Sequence, residues 1–148
     1  MRISKKAEYA LRALLSIART PPHQLHQIQE LSRRESIPVK FLEQILLTLR
    51  HAGILSSKRG VKGGYFFART PSSVTVGEVI RLMDGPLAPI PCAGLNTTEE
   101  CSCPDKMTCP LRIFMIDVRI QMTALLDNRS IEDVLQMAPD SSGTEFMI

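Results

Sequence analysis

The 148-residue chain has no tryptophan, two tyrosines and only three histidines. It contains no Ser-His arrangement and no glycine-rich phosphate loop, the motifs that indicate nucleophilic or nucleotide-dependent enzymes. It also lacks an apolar run of about 18 residues, the length needed to span a membrane. Its start is charged and then amphipathic, unlike a signal peptide. These absences predict a non-enzymatic cytoplasmic protein with no membrane partner.

Charge is unevenly distributed along the chain. The net charge is +3, but residues 1–81 carry 14 Lys and Arg against 5 Asp and Glu, whereas residues 82–148 carry 4 against 10. The first part therefore has a net charge of +9 and the second a net charge of −6. A basic half is typical of a protein that binds a polyanion such as nucleic acid. Chance segregation of solvated surface charge is the alternative.

Apolar spacing predicts three helices in the first 51 residues. Residues 3–19 and 24–34 repeat apolar positions at helical intervals. A third helix is expected to begin at a Ser36 cap, with Pro38 in its first turn, and to end near His51. Short helices joined by a tight turn are typical of a helix-turn-helix. The third helix would bury Val39, Leu42, Ile45, Leu46 and Leu49 and leave Lys40, Glu43, Gln44 and Thr48 on a polar face.

Two short apolar segments after the third helix, 54–57 and 65–68, predict paired strands. The connection between them, 58–64, contains three glycines and three cationic residues. Glycine permits positive φ angles and a close approach to a phosphate backbone. A basic hairpin alone is commonly a solvated turn. After a helix-turn-helix, however, it predicts the wing of a winged helix.

The remainder of the sequence predicts a short helix, a loop and a long helix. Thr75 and Glu78 have the spacing of a capping box that opens a helix through about Asp84. From Pro110 an apolar stripe of about 16 residues predicts a dimerisation helix, with an ordinary core helix as the alternative. Ser130 is expected to cap a last short helix. The predicted dimer interface consists of Leu111, Phe114, Met115, Val118, Met122 and Leu125.

Four cysteines lie in the aperiodic segment, in the pattern Cys-x8-Cys-x-Cys-x5-Cys from Cys92 to Cys109. Cys101 and Cys103 are too close in sequence for an unstrained disulfide, and the cytoplasm keeps thiols reduced. The pattern lacks the paired C-x2–4-C arms that are common in zinc sites, whereas iron–sulfur spacings are more varied. The spacing leaves an iron–sulfur cluster, zinc and a metal-free thiol switch open.

The expected fold is mainly α with a small β-wing, a winged helix-turn-helix followed by a long dimerisation helix. The predicted organisation is a DNA-binding domain in residues 1–84 and a cysteine-rich cluster-binding loop in 85–109. A dimerisation helix and a short C-terminal helix would occupy 110–138, and a flexible tail would occupy 139–148.

Several segments together resemble a known family of bacterial regulators. They are YALRAL at 9–14, FLEQIL at 41–46, AGILSSKRGVKGGY at 52–65, VGEVI at 76–80, and the cysteine loop. Over roughly residues 1–130 the chain resembles winged helix-turn-helix regulators of the IscR/NsrR type, which are iron–sulfur or redox-responsive transcription factors. The resemblance implies a homodimeric repressor or activator that binds a double-stranded DNA operator. It also implies an iron–sulfur cluster, [2Fe–2S] rather than [4Fe–4S].

The resemblance further implies roles for single residues at the DNA. Glu43 and Gln44 would contact base edges, since Glu accepts from cytosine N4 and Gln pairs with adenine. Arg59 would enter the minor groove, where narrow A-tracts attract guanidinium groups. Lys40 and Lys62 would contact phosphates. Further DNA contacts are expected from Arg2, Lys5, Lys6, Thr48 and Lys58.

The resemblance implies three thiolate ligands in the loop, Cys92, Cys103 and Cys109. The histidine that follows the last cysteine in IscR-type proteins is absent here, where the sequence is Pro-Leu-Arg. The fourth ligand is then Cys101, which thiolate chemistry favours, or Glu8 supplied by the other subunit.

A regulator of the same fold with zinc or without metal is the alternative function. A small electron-transfer protein is a distant one, because such a carrier has no use for the basic half.

Overall fold

The structure, a computed structural model, describes residues 2–95, 101–105 and 107–139. Apart from Pro139, the predicted flexible tail lies outside the described residues, as does part of the cysteine loop, 96–100 and 106. The described chain is mainly helical with one two-stranded sheet, which confirms the predicted fold class. Its elements are α1 (Lys5–Ala18), α2 (Ile28–Glu35), α3 (Val39–His51), β1 (Leu55–Lys58), β2 (Gly64–Phe67), α4 (Val76–Asp84), α5 (Pro110–Asp127) and α6 (Ile131–Gln136).

Helix α1 lies at the centre of the core and packs against α2, α3, α4 and α6. Its N-terminus is capped by Ser4, whose hydroxyl accepts a hydrogen bond of 3.0 Å from the Ala7 amide. The buried face of α1 carries several alanines, and such small side chains let neighbouring helices approach closely. The core around it consists of Ala10, Ala13, Leu14, Ile17, Leu31, Ile37, Leu42, Ile45, Leu46, Leu49, Ile54, Leu55, Val74, Val79 and Ile131.

Helices α2 and α3 form the predicted helix-turn-helix, but its junctions differ from the prediction. Helix α2 begins at Ile28 rather than at residue 24, because the backbone of His26 is paired with Tyr65 through two hydrogen bonds of 2.9 Å. Ser36 does not cap α3. It ends α2 in a left-handed conformation (φ 53°), and Pro38 is the N-cap residue of α3.

Strands β1 and β2 form the wing as an antiparallel pair in which Leu55 faces Phe67 and Lys58 faces Gly64. The strands are shifted by one residue from the predicted segments, since the ladder extends through Lys58 and Gly64. A side chain at residue 64 would lie about 2.6 Å from the His26 carbonyl oxygen, so only glycine fits beside that backbone. At the tip, Gly60 has a φ of +118°, a conformation that side chains rarely adopt.

The C-terminal helices pack against the same core. The Thr75 hydroxyl accepts from the Glu78 amide at 3.1 Å, as predicted, but the Glu78 carboxylate binds Arg69, so only one half of the capping box forms. Helix α6 has a complete capping box of Ser130 and Asp133. Ile131 is fully buried, and its amide donates to the Val74 carbonyl at 2.8 Å. The chain therefore returns to the winged-helix core after α5.

Candidate nucleic-acid interface and cysteine loop

Helix α3 has the two faces that its sequence predicts, except that Val39, in its first turn, is half-buried rather than buried. Leu42, Ile45, Leu46 and Leu49 are fully buried. On the opposite side Lys40, Glu43 and Gln44 are exposed, and Thr48 is half-buried with its hydroxyl donating to the Gln44 carbonyl at 2.8 Å. The exposed face therefore presents an ammonium, a carboxylate and an amide, which are groups that can contact phosphates and base edges.

The wing contributes three exposed cations, Lys58, Arg59 and Lys62. Its tip is tied to the start of α2, because the Gln27 amide donates to the Val61 carbonyl at 3.1 Å. A groove of about 430 Å³ runs between the wing and α2, and Arg50 of α3 lines it together with Lys58 and Arg59.

Sequence reasoning missed Gln27 and Arg50 at this groove. Arg50 was detectable as a cation in the last turn of the predicted recognition helix. Gln27 was not detectable, since only the folded wing brings it next to Val61.

The start of α1 lies beside the start of α3. Lys6 lines a groove of about 330 Å³ together with Lys40, Phe41, Gln44 and Ile45. Arg2 and Lys5 are exposed, and the Lys5 ammonium lies 5.7 Å from the centre of the Tyr9 ring. The exposed cations of the first turn of α1, of α3 and of the wing, together with these two grooves, are named here the basic surface.

Glu8, the alternative cluster ligand, forms ion pairs within α1. Its carboxylate lies 2.8 Å from the Lys5 ammonium and 3.5 Å from the Arg12 guanidinium. The pKa of Glu8 is lowered, chiefly by the hydrogen bond from Lys5 and also by the charges of Lys5 and Arg12. Partial burial acts in the opposite direction. In this chain the carboxylate is thus engaged by two cations.

The two ends of the cysteine loop are attached to the first turns of α5. Cys92 lies in a 3-10 turn, Pro91–Ala93, and its carbonyl accepts a hydrogen bond of 3.0 Å from Arg112. Cys109 is the N-cap residue of α5. The geometry therefore brings the first and last cysteines of the sequence to one end of the same helix.

The other two cysteines are in contact with each other. The Cys103 amide donates to the Cys101 sulfur at 3.3 Å. The pKa of Cys103 is raised, mainly by hydrogen bonding with Cys101 and by the charge of the Cys101 thiolate. Burial and the charges of Cys109 and Cys92 raise it further. Among the cysteines, the neighbouring Cys101 therefore affects Cys103 most strongly.

The donor set is chemically suited to a soft metal, since thiolates favour zinc and iron–sulfur iron. Among residues 2–95, 101–105 and 107–139, however, no three Cys, His, Asp or Glu side chains converge as metal ligands. The residues thus fit an iron–sulfur group by their chemistry, but their arrangement is not a preformed site. The sulfurs would have to move within the loop to bind a single group.

A hydrogen-bonded contact connects the start of the loop with the start of α1. Asp84, the last residue of α4, accepts a hydrogen bond of 2.9 Å from the Ser4 amide, and its other oxygen binds the Ser4 hydroxyl. Gly85, with a φ of +79°, then directs the chain into the cysteine loop. The cap of α1 and the start of the loop therefore share one carboxylate.

Comparisons with known proteins agree with this geometry. The sequence matches the Rrf2 family, described as iron-dependent transcriptional regulators, over residues 3–137. An rrf2-like HTH-type transcriptional regulator of Rhodobacter capsulatus is 39% identical over 90% of this chain and 91% of its own length. The regulator IscR of Escherichia coli is 31% identical over 98% of this chain and 88% of its own length.

Solved structures of transcriptional regulators are also similar to this chain. The structure of CymR, the global cysteine regulator of Bacillus subtilis, superposes with a TM-score of 0.77 and 25% identity, over 94% of this chain and 99% of CymR. Among the described residues, no helix is long and apolar enough to cross a membrane. The relatives are transcriptional regulators and not enzymes. The chain belongs to the Rrf2 family of DNA-binding transcriptional regulators.

Proposed function

We propose that the protein is a homodimeric regulator whose affinity for a specific DNA operator depends on an iron–sulfur cluster in the cysteine loop. One observation carries the proposal. The cysteine loop is tied to the start of α5 at Cys92 and Cys109, and the Cys101 sulfur accepts from the Cys103 amide. Asp84, just before the loop, is hydrogen-bonded to the cap of α1, and Lys6 of α1 lines part of the basic surface. In this proposal a change of state in the loop reaches the DNA-binding surface through Asp84 and the first turn of α1.

In this proposal α3 lies in the major groove and the wing lies along the minor groove. The exposed carboxylate of Glu43 and the amide of Gln44 contact base edges. Arg59 enters the minor groove at A·T-rich flanks. Lys40 and Lys62 bind phosphates, with Arg2, Lys5, Lys58 and Thr48 as additional contacts along the same surface.

The DNA-binding roles are tested by comparing operator and random duplexes. Glu43→Ala is expected to relax base preference with little loss of affinity for random DNA, because a base contact carries specificity. Arg59→Ala is expected to lose affinity chiefly for operators with A·T-rich flanks. Both effects are measured by titration of labelled duplexes. An equal loss on operator and random DNA for Glu43→Ala would remove this residue from the base contacts.

Cys92, Cys103 and Cys109 are the proposed obligatory ligands, with Cys101 as the fourth. Cys101 is favoured because its sulfur lies beside Cys103, whereas the Glu8 carboxylate is bound by Lys5 and Arg12. When bound, a [2Fe–2S] cluster would supply redox-responsive chemistry and crosslink the loop. The protein's own part is to hold the thiolates and to transmit the order of the loop through Asp84 to α1.

The cofactor is tested on anaerobically purified protein by iron and acid-labile sulfide content, visible spectrum and operator affinity. We expect iron and sulfide in equal amounts and a marked change in affinity after the cluster is removed. Cys101→Ala should alter the spectrum and shorten the cluster lifetime. If Glu8→Ala does so instead, the partner's carboxylate is the fourth ligand.

A metal-free thiol switch is the second candidate, and one observation favours it. No three potential ligands converge in the described part of the chain. Protein without iron, sulfide or zinc that changes its operator affinity on mild oxidation would support this candidate. Zinc in stoichiometric amount, without sulfide, would identify the regulator as a zinc protein.

A further inference from the structure

Phe41, in the first turn of α3, is an aromatic residue with an exposed ring. Its side chain is 48% exposed, and it is not among the residues that pack against the buried core. The ring is nevertheless held in place, because it makes an edge contact with Tyr9 at a centroid distance of 5.9 Å and an angle of 90°. The Arg12 guanidinium lies 5.5 Å from the centre of the Tyr9 ring and fixes it in turn.

The groove beside this ring has a mixed chemistry. Phe41 and Ile45 provide an apolar wall, and the stems of Lys6 and Lys40 extend it. The Gln44 amide stands at the same groove and offers both a donor and an acceptor. A ligand that matches the groove carries a small apolar group next to a hydrogen-bonding edge, and it belongs to a polyanion.

Thymine in the major groove of DNA has this combination. Its C5-methyl group is apolar, its O4 atom is a hydrogen-bond acceptor, and aromatic side chains are known to contact the methyl group. Cytosine lacks the methyl group and has an amino donor where thymine has O4. The Gln44 amide can pair with either base, because it both donates and accepts. The apolar wall of the groove matches thymine and not cytosine, because only thymine has the methyl group.

We propose that Phe41 determines base specificity by contacting the 5-methyl group of one thymine in each operator half-site. The contact with Tyr9 orients the ring before DNA binds, so that little side-chain entropy is lost on association. Gln44 contacts the polar edge of the same base or of its neighbour. This inference rests on the proposed position of α3 in the major groove.

The test uses an operator selected by the protein from random duplexes and a set of duplexes in which single thymines are replaced by deoxyuridine. This replacement removes only the methyl group. We expect each half-site to contain one thymine whose replacement by deoxyuridine lowers the affinity of the wild-type protein. The expected loss is about fourfold, because this is the affinity ratio that corresponds to one buried methyl group. Phe41→Ala should bind more weakly and lose this difference, whereas Phe41→Leu should retain part of it.

Met137→Ala is the matched control, because it removes an exposed apolar side chain beyond the end of α6, and it should retain the full difference. If no thymine in the operator is sensitive to deoxyuridine in the wild-type protein, the proposal is overturned, and this result needs no variant to fold. The proposal is also overturned if Phe41→Ala keeps the fourfold difference while Gln44→Ala changes base preference, since α3 is then in the groove without the methyl contact. If Glu43→Ala and Gln44→Ala both leave base preference unchanged, the position of α3 itself is wrong.

Discussion

At the scale of single residues, the imidazole of His26 connects three parts of the winged helix. It is 2% exposed, its Nε2 lies 2.8 Å from the Thr20 hydroxyl, and its Nδ1 lies 3.2 Å from the Arg34 guanidinium. Because the Thr20 hydroxyl donates to the Ile17 carbonyl, Nε2 carries the hydrogen and Nδ1 accepts from Arg34. The backbone of the same residue is paired with Tyr65 of the wing. A neutral imidazole is therefore part of the junction between α1, α2 and β2.

This environment predicts a dependence of stability on pH. Burial and the positive charge of Arg34, partly opposed by Glu30, lower the pKa of His26 below its ordinary value of 6.5. On acidification His26 is therefore protonated in the unfolded chain before it is protonated in the folded chain. The free energy of unfolding that His26 contributes above pH 6.5 is lost as the pH falls through and below that value. We expect the urea concentration at the midpoint of unfolding to decrease when the pH is lowered from 7.5 to 5.5.

His26→Gln is expected to be less stable at pH 7.5 but to lose most of this pH dependence. The exposed His23 provides the control, since His23→Gln should retain it. The carboxyl groups with lowered pKa values, Glu8, Asp105 and Asp133, titrate below this pH range. A wild-type midpoint that is constant from pH 7.5 to 5.5 would contradict the prediction.

Local sequence patterns predict the faces of the helices but not the residues that join them. The period of 3.6 residues is sufficient to assign Leu42, Ile45 and Leu49 to the buried side of α3. The left-handed conformation of Ser36 depends on the tertiary packing of α2 and α3, so a preference of serine for helix N-caps gave the wrong cap. For the cysteines, proximity in sequence predicts a cluster of thiols, whereas the positions of the sulfurs depend on how the loop packs against α5.

At the scale of elements, the contact between α4 and the cap of α1 joins Ser4 and Asp84, which are 80 residues apart in sequence. No local pattern indicates such a pair, although each residue alone is a common helix-end residue. The contact supports the first turn of α1, whose Lys6 lines the groove beside α3. Its loss should therefore be detectable both in stability and in DNA binding.

Asp84→Ala is expected to lower the free energy of unfolding by about 1 kcal/mol, because two hydrogen bonds to an exposed carboxylate are lost. It should also weaken the coupling between the state of the cysteine loop and operator affinity. The free energy of unfolding is measured by urea unfolding. The coupling is measured by DNA titration with and without the bound cofactor. Asp117→Ala, on the exposed side of α5, should change stability by less than about 0.5 kcal/mol. Equal effects of the two substitutions would show that the Ser4–Asp84 contact has no special role.

At the scale of the whole molecule, apolar surface and positive charge occupy different parts of the chain. The cations of residues 1–81 supply the basic surface, while the acidic remainder contains α5. All eighteen residues of α5 are described, and none of them is buried. Leu111, Phe114 and Leu125 of the predicted interface are each more than half exposed, and so are Ile113 and Ile120. A helix that is apolar on several sides requires a further surface to cover it, and in the proposed homodimer a second copy of α5 would provide one.

Replacing Val118 and Met122 with Asp should therefore yield a monomer in light scattering, because two charges per subunit would be buried in the interface. The monomer contacts a single half-site, so operator affinity should fall strongly. The slope of log K against log salt should also be about halved, since each neutralised phosphate contributes about −0.9. Met137→Asp adds a charge at an exposed apolar position outside α5 and should leave the dimer and the salt slope unchanged. A double variant that remains dimeric would move the interface away from this stripe, and the exposed Ile113 and Ile120 on the other side of α5 would be the next positions to test.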